Sequence, residues 1–144
     1  MKIIEPSTPD EHHRYYELRW KVLRAPWNQP RGSEQDELEQ SSNHLMVVDG
    51  PKAVIGVGRL HFNTISEAQI RYMAITTEQQ RKGIGTMLLR ALEDRARQLG
   101  AARIVLDARE QALGFYRKHG YELEGPGHML FNTIPHVKMI KAIE

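Results

Sequence analysis

The sequence predicts a mixed α/β sheet, and three observations predict it. Asp49-Gly50 separates two apolar runs, which is a hairpin signal. Residues 68–75 form a strand-like run that leads, through a polar turn and two glycines, into a segment with one apolar face. After that segment, strand-like and helical stretches alternate over residues 103–107, 111–118 and 121–124. Hairpins first and strand–helix alternation afterwards are the pattern of a sheet with both antiparallel and parallel pairs.

Taken in order, residues 1–5 predict a short first strand that Pro6 ends. Ser7-Thr8-Pro9-Asp10-Glu11 is a helix start, a capping hydroxyl followed by early carboxylates. The helix runs to about Leu23, with Tyr15, Leu18, Val22 and Leu23 as its apolar face. Pro26 and Pro30 cannot continue it, since each removes a donor and restricts the residue before it. Residues 33–39 are acidic and predict a short helix or turn. Residues 44–48 and 53–61 are the hairpin strands, and 63–67 turn into the central strand. Gly125-Pro126-Gly127 is expected to break the chain, and residues 134–141 make the last strand.

At 144 residues the chain is read as one domain, 1–144. A net charge of +2, with basic residues spread rather than striped, argues against a nucleic-acid groove. The absence of cysteine excludes disulfides, thiolate metal sites and a cysteine nucleophile. His12-His13 is no metal pair, because adjacent side chains diverge on a helix and no second pair at ligand spacing exists. No metal is expected. No run has signal-peptide or membrane-span character, so a cytoplasmic protein is expected.

The chemistry is concentrated between residues 68 and 100. Ile84, Leu88, Leu92, Ala96 and Leu99 recur at spacings of four and three, one face of a helix. Gly100 falls where a left-handed C-terminal cap belongs. The first amides of such a helix lack internal partners and form an anion site. Gly83 and Gly85 would let a diphosphate approach the backbone, with Arg81 and Lys82 beside it. The spacing fits neither a triphosphatase loop nor the dinucleotide pattern, whose third glycine would fall at Leu88.

Gln80-x-x-Gly83-x-Gly85, after a strand ending Met73-Ala74-Ile75, resembles motif A of the GCN5-related N-acetyltransferases (GNAT). A second family motif, Ala112-x-x-x-Tyr116, follows the 103–107 strand at the expected distance. The resemblance covers about residues 70–121. It implies the GNAT fold: α/β, with a mixed, mostly antiparallel central sheet of six to seven strands flanked by about four helices. It implies acetyl-coenzyme A as cosubstrate and transfer of its acetyl group to the amine of a small molecule or protein. The amides of the loop (Gln80, Arg81, Lys82, Gly83, Ile84, Gly85 and Thr86) would hold the pyrophosphate. The Met73, Ala74 and Ile75 edge would pair with the pantetheine arm. Ala112, Phe115 and Lys118 complete the implied coenzyme A contacts. Tyr116 would be the general acid at the departing sulfur, and the Met73 backbone N–H the oxyanion donor.

Three points stay open. The family often has Asn three positions before Ala112, where this chain has Arg109. No general base declares itself: Glu37, His44, His61, Asp107, His136 and water are all candidates. The acceptor is not legible either, although Glu34, Asp36, Glu37 and Glu39, within loop 25–40, would suit a cationic amine. Segment 125–135 would form the rest of its side of the cleft. The alternative reading is a non-catalytic acyl-coenzyme A binding or regulatory module. Residues 18–24 also resemble acetyltransferase-like domains fused to hotdog thioesterases, which implies acyl-carrier or thioesterase chemistry as a partner. A homodimer is compatible with either reading.

Overall fold

The computed structural model describes residues 1–80, 82–130 and 134–143, apart from the side chain of His128. Seven strands form one sheet: β1 (Lys2–Ile4), β2 (Asn43–Val48), β3 (Val54–Phe62), β4 (Glu67–Ile75), β5 (Arg103–Arg109), β6 (Glu122–Leu130) and β7 (Ile134–Ala142). Their spatial order is β1-β2-β3-β4-β5-β7-β6. Every neighbouring pair is antiparallel except β4 and β5. That parallel pair needs a crossover, and helix α2 (Ile84–Gln98) supplies it. Helix α1 (Pro9–Leu23) and the short α3 (Leu113–Lys118) complete the α-helices.

Local chemistry explains the helix ends. Thr8 and Glu11 form a reciprocal capping box at the start of α1, with Pro9 in the first turn. Gly100 has φ +93°, and its N–H and that of Ala101 bond back to Arg97 O and Ala96 O at the end of α2. The acidic stretch 33–39 does not become an α-helix. It forms turns that lead into a single 3-10 turn, Glu39–Ser41.

The chain does not break at Gly125-Pro126-Gly127. Strand β6 passes through all three residues, with its register against β7 shifting between Leu123 and Gly125 and again between Pro126 and Met129. β6 is an edge strand, where a proline need not donate to a neighbour, and bulges absorb the irregularity.

The sheet is covered on both faces. α2 packs Ile84, Leu88, Leu89, Leu92 and Ala96 on one face, against Leu45, Val47, Leu60 and Ile70. α1 packs Tyr15 and Leu18 on the other, against Met46, Val48, Val57 and Ala74. Alternation in β2 is strict, with Leu45 and Val47 facing α2 and Met46 and Val48 facing α1.

In β4 the alternation inverts. Ala68 and Ile70 face α2, whereas Ala74, of the same parity, belongs to the α1 side. The cause is a bulge. Val57 pairs with Ala74 and Arg59 with Arg71, so Tyr72 and Met73 together oppose Gly58. One extra residue moves every later side chain to the other face. Tyr72 takes the left-handed conformation there, φ +57°, which costs a non-glycine residue about 1–3 kcal/mol. The guanidinium carbons of Arg19, Arg71, Arg59 and Arg24 lie 4.3, 4.5, 5.0 and 5.6 Å from its ring centroid. Cation–π contacts of this kind, with burial of the ring, offset the strain.

Candidate active site

β4 and β5 part company halfway along. Their parallel pairing ends at Ile70 and Leu106. Beyond it β4 continues to Ile75 along β3, and β5 continues to Arg109 along β7. Among the described residues no strand pairs with the β5-facing edge of residues 71–75, and the gap is a cleft of about 1200 Å³. The bulge residues Tyr72 and Met73 line it. An inserted residue leaves backbone groups outside the ladder, which is the local condition for a free Met73 amide.

The cleft runs from this edge to the start of α2. Met73, Ala74, Ile75, Gln80, Gly83, Gly85, Thr86, Ala112, Phe115, Tyr116 and Lys118 all line it. Arg81 lies outside the described residues. Lys82 is exposed and not among the lining residues, and the Ile84 side chain is buried in the α2 core, leaving only its amide for a ligand.

The two glycines turn out to act differently. Gly83 caps α2 at φ +83°, and a Cβ there would meet nothing within 4 Å, so the first turn of the helix is open in front of it. At Gly85 a Cβ would sit 3.3 Å from Phe115 Cζ. Its missing side chain therefore admits the Phe115 ring rather than a phosphate. The Gln80 amide nitrogen donates to Ile75 O at 3.1 Å and ties the loop to the strand end. Sequence reasoning passed over His119. Its Nδ1 donates to Phe115 O (2.8 Å), so its Nε2 accepts from Thr86 Oγ1 (3.1 Å), fastening α3 to the first turn of α2.

Tyr116 projects from α3 toward the bulge. Its hydroxyl reaches Met73 Sδ at 3.8 Å. Burial pushes its phenol up to about 12, so it stays protonated at any working pH. Its ring packs edge-on against Phe115 and Tyr121. The hydroxyl is thus a neutral donor inside the cleft, facing a soft sulfur.

The candidate bases separate on geometry. His44 Nε2 donates to Glu39 O (2.7 Å), so its Nδ1 accepts from the Tyr15 hydroxyl (2.8 Å), and burial lowers its pKa. Both nitrogens are committed, and the ring is not among the residues lining the cleft. His61 does line it, yet its Nδ1 faces Arg59 Nη2 at 3.2 Å. A guanidinium only donates, so this lone pair is taken and the proton sits on Nε2. Burial, with the Arg59 charge, lowers its pKa. His136 Nδ1 donates to Ile134 O, and the residue is not among those lining the cleft. Glu37 and Asp107 remain, both on the cleft wall.

The acidic loop is mostly neutralised from within. Asp36 accepts from Arg59 (2.6 and 3.1 Å) and Arg71 (2.7 Å). Glu39 accepts from Arg19 (2.9 Å) and Arg59 (2.7 Å). Glu34 is buried and bonded to Gly32 N and the Gln35 amide. These three anchor the loop to the sheet, so they do not form the cationic-amine site that the sequence suggested. Arg24, Arg71 and Arg109 line the cleft instead, a feature no local motif announces.

A seven-stranded, bulged and splayed sheet with a helix N-terminus at the foot of the cleft defines a class. Residues 12–121 match the model of the acetyltransferase (GNAT) family. The uncharacterized N-acetyltransferase YjcF of Bacillus subtilis (strain 168) is 32% identical over 141 residues, 98% of this chain and 99% of its own. The chain belongs to the GNAT acetyltransferase family. Crystal structures that share its fold include the following two. One, from Lactobacillus plantarum and ascribed to an N-acetyltransferase, has a TM-score of 0.87 at 23% identity, covering 99% of this chain and 98% of its own. The other, an aminoglycoside 6'-N-acetyltransferase complexed with coenzyme A, has a TM-score of 0.83 at 18% identity, covering 100% and 98%.

Among the described residues, no helix is long and apolar enough to cross a membrane, and no group of three or more His, Asp or Glu could hold a metal ion.

Proposed function

We propose that this chain transfers the acetyl group of acetyl-coenzyme A to a primary amine by direct attack. One observation carries the reading: the unpaired β4 edge, the open helix N-terminus at Gly83 and the Tyr116 hydroxyl all line one cleft. The coenzyme A bound by a fold neighbour supports the same reading. The pantetheine arm would add to the edge at Met73, Ala74 and Ile75 as a pseudo-strand. The α2 amides at Gly83, Ile84, Gly85 and Thr86 would meet its pyrophosphate. The amine lone pair attacks the thioester carbonyl carbon, and the carbonyl oxygen takes the displaced pair beside the Met73 amide. The C–S bond then breaks, sulfur leaves with its electrons, and Tyr116 donates to it. The nitrogen proton passes to Glu37 or to water. Purified protein with acetyl-coenzyme A and an amine panel, followed by thiol release, tests this. Acetyl-coenzyme A binding with no amine-dependent release across the panel would favour the non-catalytic module.

Gly83 gives a test of the coenzyme site alone. Gly83→Asp places a negative charge at the helix start, where the cleft is open. It is expected to weaken coenzyme A binding at least about 10-fold through like-charge repulsion. Gly83→Asn tolerates the same left-handed backbone without the charge, and it should bind near the wild-type level. Titration calorimetry of both variants separates charge from strain. Equal dissociation constants for Asp and wild type would move the phosphates elsewhere.

A further inference from the structure

A cluster of guanidiniums stands along and behind the cleft wall nearest α1. Four guanidiniums, Arg19, Arg24, Arg59 and Arg71, surround Tyr72, and two carboxylates, Asp36 and Glu39, are bonded to three of them. Arg24, almost fully buried, is fixed through the carbonyls of Ser33 and Leu23. Arg109, at the C-terminal end of β5, adds a further cation. Its guanidinium carbon lies 4.4 Å from the Trp27 ring centroid, and among the described residues no carboxylate lies within ion-pair distance of it. Burial, with repulsion from Arg24, lowers its pKa. Asp107, two residues away, is turned elsewhere: its Oδ1 lies 2.8 Å from where a Gly127 Cβ would be, on the β6 side.

A half-buried guanidinium over an indole, lining the same cleft as a second cation, is costly unless something negative completes it. The pyrophosphate would lie at the α2 N-terminus, whereas Arg109 stacks on Trp27 of the loop that follows α1. We propose that the acceptor carries an oxyanion group, a carboxylate or phosphate, beside its reactive amine, and that Arg109, backed by Arg24, grips that group. The planar fork of Arg109 suits two oxygens of either group. Glu37, a carboxylate on the cleft wall, would meet the amine end. The acceptor class is therefore an amino acid-like or aminoalkyl phosphate-like molecule rather than a polycation.

This inference rests on the acetyl-transfer reading only for the identity of the reactive amine, so the deciding measurement is binding. Protein saturated with coenzyme A is titrated calorimetrically with 4-aminobutyrate, 2-aminoethyl phosphate, 4-aminobutanamide and 1,4-diaminobutane. At least one anionic amine should bind about 10- to 100-fold tighter than the neutral amide, as hydrogen bonds to charged groups allow. The diamine should bind weakest. Which anion wins distinguishes carboxylate from phosphate. Arg109→Gln should erase the preference while leaving coenzyme A affinity unchanged, and Arg109→Lys should restore part of it.

A preference for the amide or the diamine, or no anion binding at tens of millimolar, overturns the proposal. So does a preference that survives Arg109→Gln, or a loss of coenzyme A affinity in a folded Gln variant, which would assign Arg109 to the cosubstrate. The same four compounds in the thiol-release assay address acetyl transfer separately. Anion-selective binding without release would sink the enzymatic reading and leave the recognition site standing.

Discussion

Tyr116→Phe is expected to lower kcat by about 10²–10⁴-fold with little change in coenzyme A affinity, the range for losing a positioned acid. The ring keeps its edge-on contacts with Phe115 and Tyr121. The one hydrogen bond lost is the weak contact to Met73 Sδ, so stability should fall by less than about 1 kcal/mol. The raised pKa sharpens the expectation. A phenol near 12 is a weaker acid than a thiol near 8.5, so it stabilises the departing sulfur through a hydrogen bond that strengthens as charge grows. It also means that Tyr116 does not titrate within the usual assay range. The pH–rate profiles of wild type and Phe variant should therefore have the same shape at different heights. Single-turnover acetyl transfer at saturating acceptor is the measurement, because slow product release would hide the defect. A wild-type single-turnover rate in the Phe variant would make Tyr116 a packing residue.

How far the sequence foretold this structure depended on the range of each interaction. The Thr8–Glu11 box, the Asp49-Gly50 turn, the periodic face of α2 from Ile84 to Ala96 and the Gly100 cap are written in neighbouring residues, and they occur where the sequence predicts them; Leu99, expected on that face, caps the helix and is exposed. Gly125-Pro126-Gly127 misled because proline and glycine break interior strands. Only the strand order shows that β6 is an edge. The bulge at Tyr72 and Met73 was equally hidden. Nothing in residues 70–75 signals an extra residue, since the opposing partner is Gly58 on another strand. A cue existed in hindsight: Gly58 lies under α2, with a Cβ there only 2.8 Å from Leu92 Cδ1.

The site was legible where a motif is contiguous and not where charges pair at a distance. Gly83, Gly85 and Tyr116 stand at fixed spacings, and the structure brings them to one cleft. Their separate tasks needed coordinates, since Gly85 makes room for Phe115, thirty positions on. The acidic loop looked like a cation site because its partners, Arg19, Arg59 and Arg71, lie as far as 35 positions away. A histidine on a strand likewise says nothing of which lone pair is free. Arg59 settles that for His61 and Glu39 settles it for His44.

Asp36→Asn is expected to destabilise the protein by about 3 kcal/mol, the low end for breaking a buried ion pair. Arg59 is fully buried, and its Nε already lacks a partner among the described residues. Removing the Asp36 charge leaves Glu39 alone to balance Arg19 and Arg59, and it frees Arg71 as well. The pH dependence supplies an independent reading. Burial alone would raise the Asp36 pKa, but hydrogen bonds from Arg59 and the Leu38 amide, with the Arg59 and Arg71 charges, outweigh it and hold it at about 2, below the ordinary 3.8. A folded-state pKa lower than the unfolded one gives stability that is fully present above about pH 4 and lost as pH falls toward 2. Urea midpoints measured across that window should decline for wild type. Those of Asp36→Asn should start lower and decline less. Arg59→Met combined with Asp36→Leu should recover part of the loss, since an apolar pair leaves no charge stranded. A single variant with wild-type stability at pH 7 would mean that Glu39 alone compensates both arginines. Asp36 also lines the cleft, and its loss frees the Arg71 charge there, so the folded Asn variant should bind an anionic amine no more weakly than wild type.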